Sequence, residues 1–326
     1  MHPTLWQPTA SLQNLHRRAE VLWLIRQFFH ERGIAEVQTP ILSHDTVIDR
    51  HIDPVRLPAA QLELPMLGAG ELYLQTSPEF CMKRLLAAGM TAIYELRAVF
   101  RAGERGDFHN PEFTMLEWYR VGDDLWQGVH LLSDLVKQLL QVAEVEILTY
   151  QASFQQHAGC DPLLATPAEL SELAVQWELG VDRQWSQDRD DWLNLLFSEV
   201  VQPRLGRTAP TIVTHYPASQ SALARFSAED PRTAERYELF VRGVELANGY
   251  HELLDAAELE QRNQVSLKQR ASDGKAHLPS NSRLLAAMQA GLPACSGCAL
   301  GVDRLLMVVV GASRIDEVIA FPIERA

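Results

Sequence analysis

The sequence predicts an α+β protein, an antiparallel sheet with helices packed around it. Three observations carry that reading. Segments of strand character fold back as hairpins: "AIYELRAVFRAGERGDF" passes through a Gly-containing turn into "HNPEFTMLEWYR", and "RYELFVRGVELANGYHELLD" does the same. Helical periodicity comes in blocks and does not alternate with single strands. No repeat, low-complexity segment or flexible linker breaks the chain, which favours one domain over residues 1–326.

Taken in order, residues 11–32 read as an amphipathic helix. Leu12, Leu15, Ala19, Leu22, Trp23 and Phe29 recur at helical spacing, Ser11 can cap its start and Gly33 can stop it. A short strand, Ile34 to Val37, runs into Thr39-Pro40. "ELYLQTSPEF" (71–80) is a strand and then a loop, and "CMKRLLAAG" is a short helix closed by Gly89. After the first hairpin, helical patterns fill 123–145 and 167–200. "APTIVTHYP" and the second hairpin return to strand, helices follow at 257–273 and 281–290, and "CSGCALGVDRLLMVVVG" is a strand, a glycine turn and an apolar helix.

Composition narrows the function. Hydrophobics at 47% and charged residues at 22% describe an ordinary soluble globular protein. With 29 basic and 42 acidic residues the net charge is −13, which repels phosphate backbones. The densest basic clusters, Arg17-Arg18 and Lys268 to Arg270, sit among acidic neighbours, so nucleic acid as main partner is disfavoured. No apolar run reaches the roughly 18–20 residues of a membrane span. The start, "MHPTLWQPTA", has no basic region leading into an apolar stretch, so no signal peptide is expected. Four cysteines without a dense pattern fit a reducing cytoplasm.

The chemistry concentrates in four places. Read as a strand, residues 109–119 put His109, Phe113, Glu117 and Tyr119 on one face, with Pro111 and Met115 between them, a surface able to hold something charged, flat and amine-bearing. A mixed strand on a sheet edge would look similar. Arg101 ends the preceding strand, and its guanidinium suits a phosphate or carboxylate. Glu238, Glu245, Asn248 and Glu252 gather carboxylates on one strand pair, which repel unless a cation compensates, either Mg²⁺ beside a nucleotide or a substrate amine. For Glu245 to face the same way as Asn248 and Glu252 a bulge is needed, and Asn248-Gly249 is the expected place. Last, Gly297, Ala299 and Gly301 form a small-residue strand before Asp303-Arg304. A ring could approach that backbone and stack on the arginine. Cys295 and Cys298 lack the second pair that structural zinc needs, and read as close packing.

In this order, a helix before Thr39-Pro40, "FR…HNPEFTMLE", "ELANGYHEL" and "GxAxGxDR" resemble the three motifs of class II aminoacyl-tRNA synthetases of the lysyl type, from about residue 11 to 322. Lysyl-tRNA synthetases carry an anticodon-binding OB domain before the first motif helix, whereas here about ten residues precede it. The resemblance is therefore closer to stand-alone paralogues, which activate (R)-β-lysine with ATP and pass it to a lysine of elongation factor P. It implies a class II synthetase-like sheet, ATP and Mg²⁺ as cofactors, a cytoplasmic homodimer paired through residues 11–40, and no tRNA or membrane partner.

Residue by residue, the resemblance gives Arg101 the α-phosphate and substrate carboxylate, Asn110 the adenine edge, and His109 with Glu104 the triphosphate side. Phe113 and Arg304 would sandwich the adenine, Glu238 and Glu245 hold Mg²⁺, Glu245 and the Leu246 backbone hold the ribose, and Gly301 leaves room for the nucleotide. Ser77 and Glu79 would take the amino group near the carboxylate. Glu252 and Tyr119 would take the distant ammonium, with Glu117 and Asn248 lining the pocket. Arg101, Glu245 and Arg304 are the catalytic set.

Two positions depart from the synthetase pattern. Gly103 stands where a Glu is expected, with Glu104 one place later, and Ala299 stands where Gly is usual. One methyl beside the substrate shifts selectivity by about 1–3 kcal/mol, enough to help choose β- over α-lysine. Two other classes are weighed. The first is an enzyme activating α-lysine for tRNA or another small acceptor, or a relative of ammonia-dependent asparagine synthetase. Against it stand the missing OB domain, the acidic charge and an amine-binding pair, Glu252 and Tyr119, that aspartate would not use. The second is a non-catalytic amino-acid sensor, which should have lost Arg101, Arg304 or the carboxylates.

Overall fold

A computed structural model describes residues 6–64, 66, 70–280 and 282–326. The chain forms two compact units, one of residues 1–122 with 253–326 and one of residues 123–252.

The first unit opens with α1 (Leu12–Glu31), whose Ser11 hydroxyl accepts from the Asn14 N–H as the sequence predicts. Short strands β1 (Ala35–Glu36), β2 (Leu42–Ser43), β3 (Arg56–Pro58) and β4 (Glu71–Leu74) follow, then α2 (Glu79–Ala87) and the long hairpin β5 (Ala92–Phe100) and β6 (Glu112–Val121). The second unit comprises α3 (Leu125–Leu140), β7 (Glu146–Thr149), α4 (Tyr150–His157), α5 (Pro167–Gln176), α6 (Arg189–Leu196), β8 (Thr211–Pro217), β9 (Thr233–Val241) and β10 (Val244–His251). The chain then returns to the first unit with α7 (Ala256–Ser272), α8 (Arg283–Gly291), β11 (Cys295–Gly301) and α9 (Val302–Val310).

In the first unit the strand order is β1-β5-β6-β11, with a smaller sheet β2-β4-β3; in the second it is β10-β9-β8-β7. The predicted antiparallel pairing holds for β5–β6, β6–β11, β8–β9 and β9–β10. The edge pairs β1–β5 and β7–β8 are parallel, because long connections and not tight turns lead between their strands.

Several sequence boundaries move. The helical run 167–200 divides into α5, α6 and a π-helical turn at Phe197–Val201, and β7 and α4 precede it. α2 begins at Glu79, two residues early, because the Ser77 hydroxyl accepts the Glu79 N–H and opens the helix there. α1 buries Val21, Ile25, Phe28 and Phe29, while Leu12 and Trp23 are 70% and 62% exposed. Apolar spacing alone could not choose between these two faces.

Packing fixes which sheet face is free for chemistry. Phe29 stacks on Tyr94 at 4.5 Å and lies 5.4 Å from Trp118, so α1 covers the face carrying the even-numbered residues of β5 and β6. Trp118 is fully buried there, and truncating such a side chain costs about 3–5 kcal/mol. The odd face, with Phe113, Met115, Glu117 and Tyr119, is met by α2, and of these four residues only Phe113 is part-exposed. In the second unit α3 packs on β9 and β10, and α4 to α6 build an aromatic core with Val213, Tyr216 and Phe240.

Candidate active site

In the first unit, β6 and β11 lay out a floor. Their register sets Tyr119 opposite Gly297, Glu117 opposite Ala299 and Met115 opposite Gly301, so the predicted small residues share one face with Tyr119, predicted for the distant ammonium, and with Glu117, predicted to line its pocket. His109 and Asn110 are exceptions, since β6 starts only at Glu112 and both lie in the turn before it.

Around Glu117 the floor becomes a closed polar pocket. The Tyr119 hydroxyl donates to Glu117 Oε1 at 2.6 Å and the Ser77 hydroxyl to Oε2 at 2.7 Å. Lys83, one helical turn after Glu79 and likewise buried, donates to Glu79 Oε1 at 2.5 Å. Burial first, and the nearby Glu79 charge second, push the Glu117 carboxyl up to about 8, although both hydroxyl donors pull it down. One ammonium thus faces two buried carboxyls, and a second ammonium beside Glu117 would favour its ionised form and balance the charge. Lys83 is not among the residues the sequence predicts for the site. Its signal is the Glu-to-Lys spacing of four, hidden by starting the helix at Cys81.

At the other end of β6 lies a more open, cationic cluster. The Arg101 guanidinium sits over the Phe113 ring at 5.1 Å and 3.7 Å from Glu104 Oε1. Gly103 has φ +80°, a conformation in which a Glu side chain would be strained. This accounts for the displaced motif carboxylate, which returns to Arg101 from position 104. Arg304 donates to His109 Nε2 at 2.6 Å and to the Phe108 carbonyl at 3.4 Å. Burial and then the Arg304 charge hold His109 below the usual imidazole range, as a neutral acceptor. The Asn110 amide binds the Glu112 carbonyl at 2.6 Å and receives the Ile323 N–H at 3.2 Å. That shapes the turn and leaves one N–H and one lone pair for a ligand.

In the second unit, β9 and β10 carry the remaining predicted residues. Glu245 pairs with Phe240 and Asn248 with Glu238, and the register shifts between Glu245 and Ala247. The bulge therefore falls at Leu246 and not at Asn248-Gly249. It still brings Glu245, Asn248 and Glu238 to one face, because paired residues of an antiparallel ladder point the same way. Gly249 is needed for a different reason, since a Cβ there would lie 2.3 Å from the Tyr237 ring. Glu252 is fully buried just beyond β10, where it bridges to Ala224. Glu238 is also buried and accepts from the Tyr216 hydroxyl at 2.6 Å and from Arg236.

Mg²⁺ is usually held by one or two carboxylates together with substrate phosphates. Glu238 and Glu245, diagonal neighbours on one face, fit that demand, with Arg236 competing for Glu238. A cavity of about 300 Å³ in the first unit is lined by Leu42, His44, Leu72, Cys81, Arg84 and Arg283 among others, and holds none of the predicted residues. Cys295 and Cys298 are buried free thiols, and among the described residues no three His, Cys, Asp or Glu converge as a metal cage.

A hairpin ending in an arginine over an aromatic ring, a carboxylate strand pair and a small-residue strand opening an arginine-bearing helix place the chain in a class. It belongs to the class II tRNA synthetases (D, K and N), whose family pattern matches residues 5–325. Within that class it is similar to proteins named elongation factor P–(R)-β-lysine ligase. It is 46% identical to the one from Salmonella arizonae and 47% identical to the one from Klebsiella pneumoniae subsp. pneumoniae, in each case across 98% of both chains.

Proposed function

We propose that the chain activates (R)-β-lysine with ATP as an aminoacyl-adenylate and transfers the β-lysyl group to a lysine side chain of elongation factor P. The pocket around Glu117 carries this reading: buried carboxyls and hydroxyls face Ala299 on the floor of a synthetase-class sheet. Relatives 46–47% identical bear the corresponding name.

In the first step a substrate carboxylate oxygen attacks the α-phosphorus and pyrophosphate leaves. Arg101 holds the carboxylate and α-phosphate, His109 and Glu104 border the triphosphate, and Phe113 with Arg304 flank the adenine, so catalysis is positioning plus charge stabilisation. Asn110 and Gly301 complete the nucleotide contacts of the first unit, and the Leu246 backbone keeps the ribose role the resemblance implies for it. Glu238 and Glu245 would hold Mg²⁺, which supplies positive charge to the phosphates. Ser77 and Glu79 receive the nearer amino group, and Tyr119 and Glu117 the distant ammonium, while Asn248 and Glu252 of the second unit keep the roles the resemblance implies for them. In the second step an unprotonated acceptor amine attacks the acyl carbon, the amide forms, AMP leaves and the amine proton passes to solvent. The chain acts in a cytoplasmic homodimer, with elongation factor P and not tRNA as its acceptor. The exposed Leu12 and Trp23 of α1 support pairing through that helix.

The test is ATP–pyrophosphate exchange with α-lysine and both β-lysine enantiomers, followed by transfer to elongation factor P. Exchange should be fastest with (R)-β-lysine. Equal or faster exchange with α-lysine, or none with any isomer, would refute the assignment.

A further inference from the structure

Helix α1 reaches into the floor through one side chain. Arg18 Nη1 donates to Asp303 Oδ1 at 2.5 Å, and Nη2 donates to the Thr114 hydroxyl at 2.6 Å. The other Asp303 oxygen receives the Thr114 backbone N–H at 2.6 Å, closing a ring of three residues from α1, β6 and α9. Asp303 is 2% exposed and the Arg18 side chain 19%, so the ring is largely shielded from water. These partners lie 285 and 96 residues from Arg18, and none is among the residues the sequence predicts for the site.

Thr114 adjoins Phe113, and Asp303 adjoins Arg304. The two residues that would flank the adenine are thus each one peptide unit from the same guanidinium. We propose that Arg18 is a positioning residue for the nucleotide: it locks the N-terminus of α9 to β6 and sets the gap between the Phe113 ring and the Arg304 guanidinium. This rests on the adenine roles given above for those two side chains. The planar fork of Arg meets two acceptors in fixed directions, which a lysine ammonium would not do. No partner of the ring belongs to the amine pocket, so the effect should fall on ATP and spare the amino acid.

The test uses the full-length chain, with ATP affinity measured by calorimetry and the KM for ATP and for the amino acid measured in exchange. R18M should weaken ATP by about ten-fold or more, since it removes three charge-assisted bonds, to Asp303, to the Thr114 hydroxyl and, at 3.3 Å, to the Val318 carbonyl. T114V, which loses one acceptor, should weaken it by roughly three- to ten-fold, and T114S, which keeps the hydroxyl, should match wild type. In all three the KM for the amino acid should stay within about two-fold. Unchanged ATP affinity in folded R18M overturns the proposal, as does a joint rise of both KM values together with a fall in melting temperature. If R18M does not fold, T114V and T114S decide, and equal ATP affinity in those two overturns it. Wild type that binds ATP but activates no lysine isomer refutes the functional reading alone, because the calorimetric comparison still stands.

Discussion

The two ends of β6 solve opposite problems. At Arg101 and Arg304 the side chains are partly exposed, with Arg101 3.7 Å from Glu104 and over Phe113 and Arg304 donating to His109 at 2.6 Å. At Glu117 and Glu79 the groups are buried and joined by bonds of 2.5 to 2.7 Å. On the proposed assignment a nucleotide brings its own strong charges, so its site needs only cations that can trade an internal partner for phosphate. A lone ammonium leaves water only where charged acceptors are already ordered, and burial must hold them. On the proposed assignment, the difference teaches that the recognition of small amines is built into the core, whereas phosphate binding stays at its rim.

The largest contrast is in stability. Lys83→Met leaves the Glu79 carboxylate buried beside Glu117 and should cost about 3–5 kcal/mol in urea unfolding. Glu104→Gln removes a part-exposed rim partner and should cost less than about 1 kcal/mol. Equal losses would erase the distinction between the two ends. In activity, Arg101→Ala should lower exchange about 10²- to 10³-fold while the amine pocket still folds. A variant within a few-fold of wild type would remove Arg101 from the catalytic set.

A smaller effect sharpens the electrostatics. Folding raises the Glu117 carboxyl from its usual 4.5 to about 8, so the folded chain holds a proton that the unfolded chain has released. Stability should therefore fall as pH rises from about 4.5 to about 8, and Glu117→Gln should lose that slope, a melting-temperature difference of roughly a few degrees across the interval. Parallel curves for both proteins would show that Glu117 titrates normally. The smallest change tests the floor. Ala299→Gly should shift the α- to β-lysine preference in kcat/KM by about ten-fold toward α-lysine. An unchanged ratio in a folded variant would make the methyl a matter of packing.

Local pattern makes much of this legible. Hairpins, the Ser11 cap, the motif arginines and the placing of Glu117 and Tyr119 at alternate positions of β6 are short-range signals, because side-chain direction along a strand or helix follows from residue spacing. The bulge between Glu245 and Asn248 follows from parity alone, since a strand without an extra residue puts odd and even positions on opposite faces. Its place does not: Gly249 looks suited to it but is required by the Tyr237 ring.

By itself, then, the sequence determined the class of chemistry and the order of the motifs that carry it. Tertiary structure decided which face of α1 is buried, that Asn110 shapes its own turn with Glu112 and Ile323, that Glu238 answers Tyr216 and Arg236, and that Arg18 joins Asp303 and Thr114. Local periodicity has a reach of a few residues. A buried polar group must find a partner wherever the fold brings one, and here several of those partners are more than two hundred residues away along the chain.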